Sequence, residues 1–413
     1  MKKKVLSYFA YLPGWKSNVS LRLSWLFIFM VSIIAIFGPF ISNEKPYRCI
    51  LEGHTYYPLF SGISEAELST LHPAFSPVDW RSTSFESIWR PPIPYSHSTI
   101  DLTSGSHLSP IASQPLHLRF RHWMGTDALG RDVLAGMIRG CRVSLWIGFG
   151  SMLLALFFGV PLGSAAAYWG NRKWRVSWIQ VIETIIFLIL LFCVWWLPFS
   201  ILLKYLISFV LIIGAALILS YSHSIKSKKT GIPLDTIVMS LISIIDSFPG
   251  LFIILILLVI LPVKGLVTVM LAIALLRWPV MARYMRAEVF KMKESNYIKA
   301  AQLLNTSDIN ILKNHLVPYA FRPVMITFIF GVSSAILAES SLSFLGIGLP
   351  AEEMNWGRLL SQARNHFDDW WLVFFPGCAI FFTLLSLYTI GNRLQKSVEH
   401  GVPDIHQIPL ITE

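Results

Sequence analysis

The run VSLWIGFGSMLLALFFGVPLGSAAAY, residues 143–168, contains no Asp, Glu, Lys or Arg. A helix needs about 20 apolar residues to cross ~30 Å of hydrocarbon, so this run is long enough to span a bilayer. Similar runs recur along the 413 residues, of which 54% are hydrophobic and only 14% charged. A soluble domain carries about 25% charged residues. The sequence therefore predicts an all-α polytopic membrane protein and excludes a large soluble core.

Eight apolar runs are predicted to span the membrane. They cover about residues 25–42, 143–168, 178–199, 202–222, 234–262, 265–283, 319–339 and 370–391. The first is predicted to be a retained anchor, because it begins too late in the chain for a simple cleaved signal peptide.

Basic residues predict the orientation of these spans, since Lys and Arg mark short cytoplasmic loops. Basic clusters lie at 2–22, 172–175, 226–229 and 283–299, and the eight predicted spans put all four on one side. Both termini, residues 1–24 and 396–413, are therefore predicted to be cytoplasmic. The long segment 43–122, rich in Pro, Ser, His and aromatic residues, is then predicted to be an irregular periplasmic region of a protein in a bacterial inner membrane.

Several function classes are excluded by what the sequence lacks. The net charge of +11 follows the loop pattern, and no basic stripe with interleaved aromatics indicates nucleic-acid binding. The four cysteines form no CxxC pair, so neither a metal site nor a redox motif is expected. The sequence contains no GxxxxGK[ST], HExxH or GxSxG. We therefore expect neither an enzyme nor a resident cofactor.

A structured polar segment separates two of the predicted spans. Residues 299–318 read KAAQLLNTSDINILKNHLVP. A first helix is predicted to end at Asn305, because Asn tolerates the left-handed conformation that terminates helices. Thr306 or Ser307 is placed to cap a second helix. Its apolar face is predicted to be Ile309, Leu312 and Leu316, and Pro318 is predicted to close the segment.

This segment resembles the coupling loop of the membrane subunits of ABC importers. The matching positions are Ala300, Ala301, Ser307, Ile311, His315, Leu316 and Pro318. Two positions depart from the pattern, because Lys299 stands where the family has Glu and Asn305 where it has Gly. The resemblance implies that ATPase subunits, supplied by other chains, dock on this loop.

Three further stretches narrow the resemblance to the C-type subunit of oligopeptide and dipeptide permeases. They are HWMGTDALGRDVLAGMIRGCRVSLWIG (122–148), ESSLSFLGIGLPAEEMNWGRLL (339–360) and WWLVFFPGCAIFFTLLSLYTIGNRL (370–394). The resemblance implies a six-span type I importer core within residues 143–395. An interfacial helix over 123–142 would precede this core, the hairpin 176–228 would be inserted in it, and 284–318 would be its coupling loop. The implied partners are a second homologous permease, two cytoplasmic ATPase subunits, a periplasmic solute-binding protein and a peptide substrate.

Alternatives of substrate and class remain at this stage. Metal chelates or peptide antibiotics are alternative substrates for a permease of the same family. A secondary transporter or channel is a more distant alternative, and ionisable residues in the spans would be its evidence. Asp246, Ser247 and Pro249 are candidates for lining a path, because Pro249 frees backbone carbonyls beside an acidic side chain.

The predicted topology is testable with single cysteines. We expect a cysteine at Ser104 to react with a membrane-impermeant maleimide added to intact cells, whereas a cysteine at Asn305 reacts only after the cells are opened. Reaction of the Asn305 cysteine from outside would contradict the coupling-loop interpretation.

Overall fold

A computed structural model describes residues 19–60, 80, 85–101, 105–114, 117–171, 175–177, 229–231, 233–261, 265–350, 352–364 and 366–400. The two predicted spans of the inserted hairpin, 178–199 and 202–222, lie outside the described residues.

Within the described ranges, five helical stretches are long and apolar enough to cross a membrane. They are α1 (Val19–Ile41), α2 (Val133–Trp169), α5 (Leu266–Lys293), the stretch Asp308–Phe344 and α10 (Trp370–His400). Two shorter helices, α3 (Leu234–Asp246) and α4 (Gly250–Ile260), make a sixth span if the broken pair counts as one. The predicted helical membrane fold is confirmed.

The remaining helices are short and lie between the spans. They are α6 (Asn296–Leu303), α7 (Asp308–Asn310), a π-helical turn (Ile311–Leu316) that leads into α8 (Val317–Phe344), and α9 (Trp356–Gln362). The chain divides into two compact units. The first comprises residues 1–159, 248–281 and 321–413, and the second comprises 160–247 and 282–320.

Helices of the first unit approach closely where glycines remove side chains. A Cβ on Gly148 of α2 would lie 2.6 Å from Ile336 of α8, and a Cβ on Gly331 of α8 would lie 2.2 Å from Met152 of α2. Small residues at such crossings allow the dispersion contacts that hold membrane helices together. In the same unit α10 packs against both α1 and α9.

A buried carboxylate joins three parts of the first unit. The Glu339 side chain on α8 is 1% exposed and accepts hydrogen bonds from Ser144 of α2 at 3.1 Å and Ser343 at 3.0 Å. Asn355 donates to the same carboxylate at 2.7 Å and caps α9, where its Oδ1 accepts from the Arg358 amide. A buried polar group is costly unless it is hydrogen-bonded, so this network fixes α2, α8 and α9 around Glu339.

The segment after α1 contains a small sheet. Strands β1 (Arg48–Leu51), β2 (His54–Tyr56) and β3 (Ser87–Trp89) pair antiparallel in the order β2–β1–β3. The region predicted to be irregular thus contains one small sheet, which the sequence did not indicate because strands of three or four residues show too little alternation. Alternate residues of β1, Cys49 and Leu51, are buried against Trp80. Burial raises the pKa of the Cys49 thiol to about 11, so the group stays protonated.

Two further short strands, β4 (Arg175–Ser177) and β5 (Lys229–Gly231), pair antiparallel in the second unit. They bring together the two ends of the inserted segment, so the chain leaves and re-enters this unit at one place.

Of the residues predicted to form an interfacial helix, 123–142, only 133–142 are helical, and they are continuous with the membrane-spanning part of α2. Residues 123–132 make turns, with Gly125 and Gly130 at positive φ, and α2 begins at Val133 without a later break. The Asp127 carboxylate accepts from the amides of Leu129 and Arg131 within one of these turns. Glycines at positive φ favour turns over helix, and this signal outweighs the apolar periodicity that follows.

Removal of the Glu339 carboxylate tests the buried network. Glu339→Ala leaves the donors of Ser144, Ser343 and Asn355 without this acceptor, so we expect the free energy of unfolding to fall by about 2–3 kcal/mol. Thermal unfolding of the purified protein in detergent measures the change. Ser341→Ala is the control, since its exposed hydroxyl donates to the Leu337 carbonyl and contacts no other polar group among the described residues. Equal stability of the Glu339 and Ser341 variants would contradict a central role for the network.

Candidate functional site

The coupling segment, defined here as residues 296–316, turns sharply after α6. Asn305 has φ +55°, as its residue type predicts. The Asn305 amide donates to the Gln302 carbonyl at 3.0 Å, and the Thr306 amide donates to the Ala301 carbonyl at 3.2 Å. These two bonds form a Schellman motif, which satisfies the last carbonyls of a helix. Asn305 therefore adopts the left-handed conformation that the glycine of the family pattern would adopt at this position.

The second half of the coupling segment merges with a membrane helix. Ser307 precedes α7 with extended backbone, although its side chain forms no capping hydrogen bond. The π-helical turn then continues into α8, so the helix runs unbroken from Asp308 to Phe344. Pro318 lies inside this helix and does not end it, contrary to the prediction. The wider π turn relieves the clash that a proline makes with the preceding turn of a regular helix.

The π turn also changes which residues face inward. Ile311 and Leu316 are both 0% exposed, whereas Ile309, predicted to share a face with Leu316, is 68% exposed. In a π-helical turn the bonded residues are five apart, so positions 311 and 316 fall on one side. The predicted face was wrong at Ile309 because it assumed the period of a regular α-helix.

Within the second unit, one contact fastens the coupling segment to the end of α2, and another fastens the end of α5, three residues before the segment, to the same place. The Tyr168 hydroxyl bonds the Asp308 carboxylate at 2.5 Å. The Lys293 ammonium donates to the Ala167 carbonyl at 3.3 Å, near the C-terminus of α2, where a cation is favoured by the helix dipole. Sequence reasoning missed Tyr168 and Lys293, because nothing in their local pattern indicates a contact across more than 120 residues.

A third contact, between Tyr297 and His315, lies within the segment itself. The Tyr297 hydroxyl lies 2.7 Å from Nδ1 of His315, which joins α6 to the π turn. His315 was predicted from the family pattern, and the structure gives it a bracing role inside the segment.

The opposite side of the coupling segment presents an apolar knob, formed by Leu303, Leu304 and Ile309. Leu303 is 87% and Leu304 81% exposed. Large apolar side chains are rarely this exposed in neighbouring positions unless another surface covers them. Ala300 beside them is exposed and Ala301 is half-buried.

Lys299, the position where the charge departs from the family pattern, has a local partner. Its ammonium lies 3.5 Å from the Glu294 carboxylate, and both side chains are exposed. Exposed pairs of this kind contribute about 0–1 kcal/mol. The charge of Lys299 is thus balanced within the chain.

The candidate path residues lie at the break between α3 and α4. Asp246 pairs with Arg283 at 2.5 Å, and the Ser247 hydroxyl donates to the Ser243 carbonyl at 2.7 Å. Pro249 precedes the first residue of α4. A second ion pair, bidentate between Arg286 and Asp235 at 2.5 and 2.7 Å, also joins α3 to α5. The carboxylate of Asp246 therefore has a partner that sequence reasoning did not identify.

Comparison with known proteins matches residues 224–402 to the family described as binding-protein-dependent transport system inner membrane component. The oligopeptide transport system permease protein OppC of Bacillus subtilis (strain 168) is 27% identical over 279 residues, which cover 67% of this chain and 71% of the relative. The dipeptide transport system permease protein DppC of Alkalihalophilus pseudofirmus is 27% identical, again over 67% of this chain and 71% of the relative. The glutathione transport system permease protein GsiD of Pectobacterium atrosepticum is 24% identical over 67% of this chain and 72% of the relative.

Replacement of Asn305 tests the turn. A β-branched residue in the left-handed conformation is strained by at least about 1–2 kcal/mol, so Asn305→Val should loosen the turn and speed tryptic cleavage at Lys299 and Lys313 in the purified protein. Asn305→Gly is the matched control and should be cleaved at the wild-type rate. Equal cleavage of the valine and glycine variants would show that the turn does not depend on residue 305.

Proposed function

Because the chain is the membrane subunit of a binding-protein-dependent ABC importer, with residues 224–402 as its family domain, we propose that it imports peptides. In this proposal it forms half of a translocation path and a second, homologous permease forms the other half. Two ATPase subunits dock on the coupling segment, and a solute-binding protein delivers the peptide from outside.

The observation that carries the docking proposal is the apolar knob. The Schellman turn at Asn305 holds Leu303 and Leu304 outward, while Ile311 and Leu316 anchor the segment inward. The contacts of Tyr168 and Lys293 keep the segment fixed to the end of a membrane helix. A rigid apolar knob between charged flanks suits a groove on a cytoplasmic ATPase, since burial of each leucine contributes about 1.5–3 kcal/mol. The proposed contact residues are Lys299, Ala300, Ala301, Leu303, Leu304 and Ile309.

The other predicted coupling residues hold the knob in position and are not part of its exposed surface. Ile311 is fully buried, and Asn305, Ser307 and His315 shape the turn, the start of α7 and the brace to Tyr297. Pro318 adjoins the π turn inside the continuous helix. We assign them to positioning, so their replacement should disturb docking through the shape of the segment.

The peptide substrate is proposed from the relatives, which are named as oligopeptide, dipeptide and glutathione permeases. Glutathione is itself a small peptide, so the three names share a substrate class. We place the path beside the α3–α4 break, where Asp246, Ser247 and Pro249 lie. The paired Asp246 and Arg283 would there offer both charges to the termini of a peptide.

The orientation proposed for the coupling segment is cytoplasmic, as are both termini. This orientation is supported by the basic residues near the C-terminal end of α5 and in the coupling segment, including Lys291, Lys293 and Lys313. The ATPase is then on the side of the membrane where ATP is present.

One experiment tests docking and substrate separately. The double variant Leu303→Ser and Leu304→Ser should remain in the membrane at normal abundance, because both side chains are exposed, but should recover less than about one tenth of the ATPase subunits on purification. Wild-type complex reconstituted with its binding protein should hydrolyse ATP faster when di- to pentapeptides are added.

Two controls separate folding from docking. Leu118→Ser removes another exposed leucine, from the segment 43–122, and should recover ATPase normally. Leu316→Ser places a hydroxyl in a fully buried position and should lower abundance itself. Normal ATPase recovery by the double variant would overturn the docking proposal, whereas stimulation by metal chelates and by no peptide would overturn the substrate proposal alone.

A further inference from the structure

A pocket of about 270 Å³ lies in the first unit where α1 ends and α2 begins. Gly38 and Pro39 of α1, the loop residues Ser96 and His97, and two arginines of α2, Arg139 and Arg142, form much of its wall. The pocket therefore combines apolar residues of two helices with loop side chains and two guanidinium groups.

The two arginines differ in how their charges are balanced. Arg139 makes a bidentate ion pair with Glu353, with Nη2 2.8 and 3.0 Å from the two carboxylate oxygens. The Arg142 guanidinium has no hydrogen bond or ion pair with any residue that the structure describes. Counted over the described residues, the pocket thus carries one positive charge in excess.

His97 adds no further positive charge to the pocket at neutral pH. Burial lowers the pKa of His97, and the neighbouring Arg139 and Arg131 lower it further against an opposing effect of Glu353. A neutral imidazole accepts or donates a hydrogen bond without competing for an anion. The remaining charge is therefore that of Arg142.

The surroundings of the pocket are those of a membrane boundary. Arg142 directly precedes the uncharged run 143–168, and α1 ends at Ile41. Phe37 and Phe40 on the last turns of α1 are exposed, as is Trp146, which lies four residues after Arg142 on the same face of α2. Trp concentrates at the level of lipid headgroups, with apolar residues toward the acyl chains.

We propose that this pocket binds the phosphate headgroup of an anionic membrane phospholipid, with Arg142 as the main ligand of the phosphate. A guanidinium and a phosphate form short, charge-assisted and bidentate hydrogen bonds. The exposed aromatic residues of α1 and α2 then contact the acyl chains of the same lipid. A bound lipid here would join the two helices at the boundary and neutralise the charge of Arg142, which the described part of the chain leaves unbalanced.

Titration of phosphatidylglycerol into delipidated complex tests the proposal. The protein is purified in detergent with its partner subunits, and native mass spectrometry counts the lipids retained. We expect the wild type to hold a tight lipid that both Arg142→Gln and Arg142→Met bind at least about tenfold more weakly, since one charge-assisted contact is lost. Arg142→Lys should retain intermediate binding. Thermal unfolding should show stabilisation by phosphatidylglycerol in the wild type and none in the neutral variants.

The controls identify the occupant. Arg119→Gln removes an exposed arginine elsewhere in the outer segment and should bind phosphatidylglycerol like the wild type. Inorganic phosphate alone should neither stabilise the protein nor displace the lipid. Equal lipid binding by wild type and both neutral variants would overturn the proposal, and so would displacement by millimolar inorganic phosphate, which would identify a free anion as the occupant.

Discussion

The buried carboxylate of Glu339 is the interaction on which the first unit depends. Its burial in the apolar interior is possible because hydroxyls of α2 and α8 and the side-chain amide of Asn355 all donate hydrogen bonds to it. Each of those donors comes from a different part of the chain, so the network specifies which helices meet and in which register. The helix crossings at Gly148 and Gly331 then supply close packing between the same pair of helices, α2 and α8.

The coupling segment depends on one local turn and on two contacts between residues that are distant in the sequence. The turn is local because Asn305 and two backbone hydrogen bonds define it. Its attachment is distant because Tyr168 and Lys293 meet their partners 140 and 126 residues away in the chain. Local chemistry shapes the knob, and tertiary contacts hold it in place. A change that weakens the attachment would therefore leave the shape of the turn intact.

The membrane spans, the family and the turn at Asn305 were predictable from the sequence, because each depends on residues that lie close together in the chain. Apolar length identifies a span, and Asn305 identifies a left-handed turn. The family prediction is confirmed by the matches over residues 224–402 and to named permeases. What was missed needed other information. The π turn changed the helical period, so Ile309 does not lie on the predicted face. Gly125 and Gly130 at positive φ kept residues 123–132 from forming a helix. The ion pair of Asp246 with Arg283 joins two helices that are separate in the sequence.

The sheet that holds Cys49 bears on how the protein matures. Cys49 is the only cysteine in residues 43–122, and its thiol is free, buried and protonated. A segment that folds around such a thiol requires no oxidant, no disulfide catalyst and no reshuffling of wrong pairings. If this segment faces the periplasm as the charge pattern predicts, its folding requires no disulfide even though the compartment could form one.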